Sequence, residues 1–227
     1  MPREIIPAII AKSSLEFEEK LIVLEKAKIP LAQIDIMDGQ FVTNSTMADP
    51  KIAAKHKLDY ELHLMTEDPE LYLEEWKNVP TVKRVAIHAE IKKPLAPIIK
   101  KIQLSGWEVG LALNPNTSWS VVEPYLVHNP SPPPLILRGG KMTIDFILVM
   151  AVYPGRHAAP FVPKVVPKIK NLHAAHPRLI IEIDGGVNEQ TLPVLLSAGA
   201  TRFAVGSALW SAPNFSRAYQ QLLQINS

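Results

Sequence analysis

The chain has 227 residues, 47% hydrophobic and 20% charged, and its 24 basic and 22 acidic side chains leave a net charge of +2. This composition belongs to a folded globular protein and excludes a disordered or fibrous one. The near-neutral balance, with no long run of either sign, excludes binding of nucleic acid or a membrane surface through bulk charge.

With no cysteine in the sequence, disulfides and thiolate metal sites are excluded. The longest apolar run, 146–153, is too short to span a bilayer. Met1-Pro2-Arg3-Glu4 lacks the basic and apolar regions of a signal peptide, so a cytoplasmic protein is expected. The 21 prolines are nearly double the usual share of about 5%, which points to many turns and strand starts.

In chain order, a strand is predicted over 4–10 and a helix over 14–28, with Ser13 or Ser14 as its N-cap. Further strands are predicted over 31–35, 58–65, 82–88, 108–113, 146–152, 179–184 and 202–205. Ile, Val and Leu fall on both parities of these runs, as in strands buried on both faces. Helices are predicted over 94–105, 161–176, 189–198 and 214–224, the last opened by Pro213. Eight strands in 227 residues give roughly 28 residues per unit, one strand-plus-helix step. An α/β fold of eight such units is a (β/α)8 TIM barrel. The rival, an open doubly wound sheet, opens with a glycine-rich turn, whereas here Ala11-Lys12-Ser13-Ser14 follows the first strand. The expectation is therefore one barrel over 1–227, with a Pro-rich insertion at 127–142 before strand six. Within it, Arg138-Gly139-Gly140-Lys141 reads either as a phosphate-contacting loop or as a solvated turn.

In such a barrel the chemistry sits at the C-terminal ends of the strands. Strand two ends Gln33-Ile34-Asp35-Ile36-Met37-Asp38-Gly39, strand three Glu61-Leu62-His63-Leu64-Met65, strand four His88-Ala89-Glu90 and strand seven Glu182-Ile183-Asp184-Gly185-Gly186. Residues two apart share a strand face. Gln33 with Asp35, Glu61 with His63, and Glu182 with Asp184 are thus expected to point together into the barrel mouth. Carboxylates in apolar strands need a partner or a metal, and Asp35, His63 and Asp184 on three strand ends form the candidate constellation. His56, His128, His173 and His176 fall in helix or loop context and are expected on the surface. Gly185-Gly186 after strand seven and Gly206-Ser207 after strand eight lie where this fold commonly binds phosphate on freed backbone N–H groups. A small phosphorylated substrate is expected, with no nucleic acid and no membrane as partner.

These residues resemble the ribulose-phosphate 3-epimerase family, with the chain as a divergent member. The resemblance runs through Pro7-Ala8-Ile9-Ile10, Ile34-Asp35-Ile36-Met37-Asp38-Gly39-Gln40-Phe41-Val42, His63-Leu64-Met65, Ala112-Leu113-Asn114-Pro115, the stretch 149–155, Glu182-Ile183-Asp184-Gly185-Gly186-Val187 and Gly206-Ser207-Ala208. It implies a TIM barrel of the ribulose-phosphate-binding type that epimerises ribulose 5-phosphate and xylulose 5-phosphate at C3, in the pentose phosphate pathway. It also implies a divalent metal (Zn, Fe, Mn or Co) and association into homo-oligomers. Two carboxylates on distant strands suit inversion through an enediolate, with an acceptor on one face and a donor on the other. The resemblance then assigns Asp35 and Asp184 as the acid/base pair and Asp35, His63, Asp184 and Gln33 as metal ligands. It places Met37, Met65 and Met150 along the enediolate, and Gly155, Arg156, Gly185, Gly186, Gly206 and Ser207 at the substrate and its phosphate.

Three departures stand out. Gln33 replaces a family histidine, and an amide oxygen is a poorer ligand than imidazole for zinc-like metals. Ala8 and Ala11 replace serines. Tyr153-Pro154-Gly155-Arg156-His157-Ala158-Ala159 replaces a glycine-rich phosphate loop, where Arg156 could restore a charge-assisted contact. The rivals are a related barrel enzyme on another sugar phosphate and a non-catalytic sugar-phosphate-binding barrel. The Asp-x-Lys-x-x-Asp pattern of the decarboxylases of similar fold is absent at Asp35-Ile36-Met37-Asp38.

Overall fold

The computed structural model describes residues 3–126, 143–155 and 159–226. Eight parallel strands close into a barrel in chain order. They are β1 (Glu4–Ile9), β2 (Leu31–Met37), β3 (Asp59–Met65), β4 (Val82–His88), β5 (Glu108–Leu113), β6 (Phe146–Met150), β7 (Ile180–Asp184) and β8 (Arg202–Val205). Three strands coincide with their predicted bounds. β2 runs two residues further than its pattern indicated, because Ile36 and Met37 pair with Leu64 and Met65 of β3.

The helices on the outside are α1 (Ser14–Lys26), α2 (Pro50–Ala53), α3 (Pro69–Trp76), α4 (Leu95–Leu104), α5 (Val165–Ala175), α6 (Leu192–Ser197), α7 (Ser207–Trp210) and α8 (Phe215–Asn226). A 3-10 turn spans Trp119–Tyr125. Ser13 is the N-cap of α1, its hydroxyl accepting from the Glu16 N–H, which satisfies one of the otherwise unpaired amides of a helix start. α5 begins later than predicted: Val162 still donates to Ala151 O and Pro163 follows, so this stretch lies along the barrel before the helix starts. Among the described residues no helix is long and apolar enough to cross a membrane. The Pro-rich insertion expected at 127–142 lies outside the described residues, as does Arg156.

Between barrel and helices, Phe17, Leu21 and Leu24 of α1, Trp76 of α3, and Ile98, Ile99 and Ile102 of α4 are buried against outward-facing Ile, Val and Leu of the strands. Each such side chain contributes about 1.5–3 kcal/mol. Inside the barrel, Ala86, Ala112, Phe146, Leu148, Met150 and Val152 form a separate apolar cluster. Gly110 makes room for it, since a Cβ there would lie 2.4 Å from the Phe146 ring.

Below the mouth the interior is charged. Register places Gln33 beside Glu61, Glu61 beside Arg84 and Arg84 beside Glu108, with Glu182 beside Arg202 and Arg202 beside Glu4. Arg84 holds Glu4 through two hydrogen bonds of 2.9 and 3.1 Å and lies 3.5 Å from Glu61. Glu61 and Glu182 therefore do face inward, but the expectation that they join His63 and Asp184 at the mouth is corrected. Both are fully buried one level down, where two arginines offset their charge. Burial, then the neighbouring Glu61, hold the Glu182 carboxyl well above the usual carboxylate range.

Candidate functional site

At the C-terminal ends of β2, β3 and β7, register and parity bring three side chains together. Asp35 pairs with His63 across β2 and β3, and Asp184 closes the group from β7. His63 Nδ1 lies 3.0 Å from Asp35 Oδ1 and 2.9 Å from Asp184 Oδ2. Gln33 sits beneath them and donates its Nε2 to Asp35 Oδ1 at 2.8 Å and to Asp184 Oδ2 at 3.2 Å. The four form a closed ring of two nitrogens and two carboxylates. His63 and Gln33 are fully buried, while Asp35 and Asp184 keep 4% and 7% of their surface open to solvent. The carboxylates are thus the part of the site that an incoming molecule meets.

Burial shapes the protonation of this ring. Desolvation, then the nearby Asp184 charge, push the Asp35 carboxyl up to about 6, against the hydrogen bonds from His63 and Gln33. Burial alone would lower His63. The hydrogen bonds and charges of Asp184 and Asp35 outweigh it and hold the imidazole up at about 10. With the ring closed by its own hydrogens, His63 is an imidazolium between two carboxylates.

Behind His63 stands His88 of β4, with the two Nε2 atoms 3.0 Å apart and the rings stacked at 5.1 Å. His88 Nδ1 faces Glu90 Oε2 at 3.1 Å, and Glu90 Oε1 accepts from the Asn114 N–H at 2.8 Å. Phe41 packs on His88 with ring centroids 4.7 Å apart. Burial, reinforced by the charge of His63, lowers His88 despite Glu90. The motif His88-Ala89-Glu90 was legible as a polar strand end, but its role behind His63 was not, because it depends on which strand lies next to β3.

Asp35, His63 and Asp184 offer one ligand atom each, all within 4.8 Å of one another. Two carboxylate oxygens and an imidazole nitrogen are a donor set for a divalent metal. Gln33 bears on the fit directly: its Oε1 is buried without a hydrogen-bond partner. Turning the carboxamide over exchanges its two terminal atoms, and would present this oxygen to the site as a fourth donor while satisfying it. The residues present therefore suit a divalent ion, with Gln33 as an oxygen rather than a nitrogen ligand.

The remaining predicted residues divide. Met37 and Met65 pack together beside Val42, with Ile10 and Phe41 against them, whereas Met150 belongs to the apolar cluster inside the barrel. Gly185 has φ +91, and a Cβ there would meet Val152 Cγ2 at 2.3 Å, so the turn after β7 needs glycine. Gly186 accepts from the Thr191 hydroxyl, and Gly206 precedes α7, which starts at Ser207. Gly155 reaches across the mouth to the loop after β2, where its carbonyl accepts from Asn44 Nδ2. Three loop residues to which sequence reasoning gave no role support the site. The Thr46 hydroxyl donates to Asp35 O and accepts from Met37 N. The Asp38 carboxylate takes the N–H groups of Gln40, Phe41 and Glu67, tying together the loops after β2 and β3, and Asn44 joins the loops after β2 and β6.

A family profile described as the ribulose-phosphate 3 epimerase family matches residues 4–210. The ribulose-phosphate 3-epimerase of Bacillus subtilis (strain 168) is 28% identical over 227 residues, covering 96% of this chain and 97% of the relative. The enzyme named as the cytoplasmic isoform from Oryza sativa subsp. japonica is 34% identical over 187 residues, covering 79% and 75%. Among solved structures, a 3-hexulose-6-phosphate synthase superimposes with a TM-score of 0.65 at 16% identity, covering 99% of this chain and 100% of that one. The last likeness is one of fold.

Proposed function

The chain belongs to the ribulose-phosphate 3-epimerase family, and on that premise we propose that it interconverts ribulose 5-phosphate and xylulose 5-phosphate by moving a proton at C3. The observation that carries this reading is the convergence of Asp35 and Asp184 on one imidazole nitrogen. Their strands, β2 and β7, approach the mouth from different sides, separated by β1 and β8.

The C3 proton is acidic because C2 is a carbonyl, and its removal leaves an enediolate. One carboxylate takes the proton from one face, and the other, in its acid form, returns a proton to the opposite face. The direction of the reaction decides which does which. Burial supports this division of labour: with its carboxyl raised to about 6, Asp35 is a stronger base than a solvated aspartate and still ionises near neutral pH. Met37 and Met65 exclude water beside the carboxylates. A divalent ion held by Asp35, His63, Asp184 and Gln33 Oε1 would supply Lewis-acid stabilisation of the developing negative charge. The substrate's phosphate is assigned to the loops carrying Gly185, Gly186, Gly206 and Ser207, with Gly155 and Arg156 from the loop after β6.

Following ribulose 5-phosphate by NMR with catalytic amounts of protein, alone and with Zn2+, Mn2+, Fe2+ or Co2+, tests the reading. Conversion to xylulose 5-phosphate is expected. No conversion under any of these conditions overturns it in favour of a non-catalytic sugar-phosphate-binding barrel.

A further inference from the structure

A small cavity opens beside the carboxylate ring, between the ends of β1 and β2 and the loop after β6. Ile10, Lys12, Met37, Asn44, Thr46 and Gly155 line it. It adjoins the reacting centre: Met37 lies two residues beyond Asp35, and Thr46 is bonded to the Asp35 carbonyl.

Lys12 is the cavity's cation. Its ammonium donates to the Ser45 carbonyl at 3.3 Å. The neighbouring carboxylate, Glu16, is already engaged at both oxygens, by Lys20 Nζ at 2.6 Å and by the Lys12 backbone N–H at 2.7 Å. Among the described residues, no carboxylate forms an ion pair with Lys12, although Lys77, Lys83, Lys92, Lys93 and Lys101 all have one. The loop that carries Lys12 also leaves the barrel next to one of the expected phosphate loops. Pro7 pairs with Val205, so the chain leaves β1 toward Lys12 beside the point where it leaves β8 at Gly206. Gly155, from the loop after β6, forms the cavity's far wall.

We propose that Lys12 binds the substrate's phosphate group, supplying from the loop after β1 a positive charge that the glycine turns after β7 and β8 lack. This rests on the sugar-phosphate reading above and extends it to a specific cation. An ammonium that reaches a phosphate oxygen makes a charge-assisted hydrogen bond, while Asn44, tied to Gly155, keeps the far wall in place.

Two measurements on the full chain test it, using Lys12→Gln and Lys12→Arg. Lys12 is exposed, so both variants should fold, and circular dichroism checks this. Calorimetric titration with inorganic phosphate is expected to show affinity weakened about tenfold or more in Lys12→Gln, as for loss of one charged hydrogen bond, and largely retained in Lys12→Arg. The KM for ribulose 5-phosphate should rise in parallel in Lys12→Gln, by more than kcat falls. Phosphate affinity and KM both unchanged in Lys12→Gln overturn the proposal and leave the epimerase reading intact. A raised KM with unchanged phosphate affinity also overturns it, since Lys12 then meets the sugar rather than its phosphate. Weakened phosphate binding in a protein whose wild type turns over no ribulose 5-phosphate supports the Lys12 site while the epimerase reading fails.

Discussion

His63 and His88 face each other through their Nε2 atoms at 3.0 Å, so one nitrogen donates and the other accepts. His88 gives its Nδ1–H to Glu90, and its lowered proton affinity leaves Nε2 as an acceptor. His63 therefore donates from Nε2, which turns its Nδ1 toward Asp35 and Asp184. The Glu90–His88 pair thus selects the tautomer whose Nδ1 lone pair is available to a metal once its proton leaves.

Replacing His88 with Phe keeps a ring against Phe41 but leaves the buried His63 Nε2–H unpaired. The expected result is a stability loss of about 1–3 kcal/mol and a fall in Mn2+ affinity of about 10–100-fold. Chemical denaturation and calorimetry read the two effects separately.

Gln33→His exchanges an oxygen donor for an imidazole at the base of the ring. Zn2+ affinity should rise relative to wild type, and the preference for Zn2+ over Mn2+ should sharpen. Competitive titration with a metal chelator measures both. Unchanged affinity means that residue 33 does not reach the ion.

Metal binding at His63 must displace the proton that the two carboxylates hold there up to about pH 10. Affinity should therefore climb with pH, by about tenfold per unit where one proton is released. Titrations in buffers of different ionisation enthalpy give the number of protons directly.

Glu182 carries a raised proton affinity in the folded state, with burial as the main cause. A carboxyl raised on folding contributes stability that is fully present below its ordinary value, 4.5, and is lost as pH rises through the folded value. Glu182→Gln should remove that decline, so its stability relative to wild type should improve as pH rises from 4.5 toward neutral. Urea denaturation across this range measures the difference.

Gly110→Ala places a methyl group 2.4 Å from the Phe146 ring. Overpacking of this kind costs about 1–3 kcal/mol, and a Tm lowered by several degrees is expected in a thermal melt.

Much of this was legible in the amino-acid pattern. Ile, Val and Leu on both parities marked all eight strands, and the spacing of two put Asp35, His63 and Asp184 on inward faces. Parity does not give height along the barrel axis, so Glu61 and Glu182 were expected at the mouth, although they lie beneath it with Arg84 and Arg202. The partnership of His88 with His63 depends on β3 and β4 being neighbours and on their register, which no local pattern records. Helix α3 has only Pro69, Leu73 and Trp76 buried, too short an apolar stripe to stand out from its surroundings.

The two-carboxylate site is tested most directly by exchange at C3 in heavy water with ribulose 5-phosphate and a divalent ion. The wild type should place deuterium at C3, and Asp35→Asn and Asp184→Asn should each slow the exchange by about 10²–10⁴-fold. Exchange at the wild-type rate in Asp184→Asn would contradict the assignment of the two carboxylates to opposite faces of the enediolate.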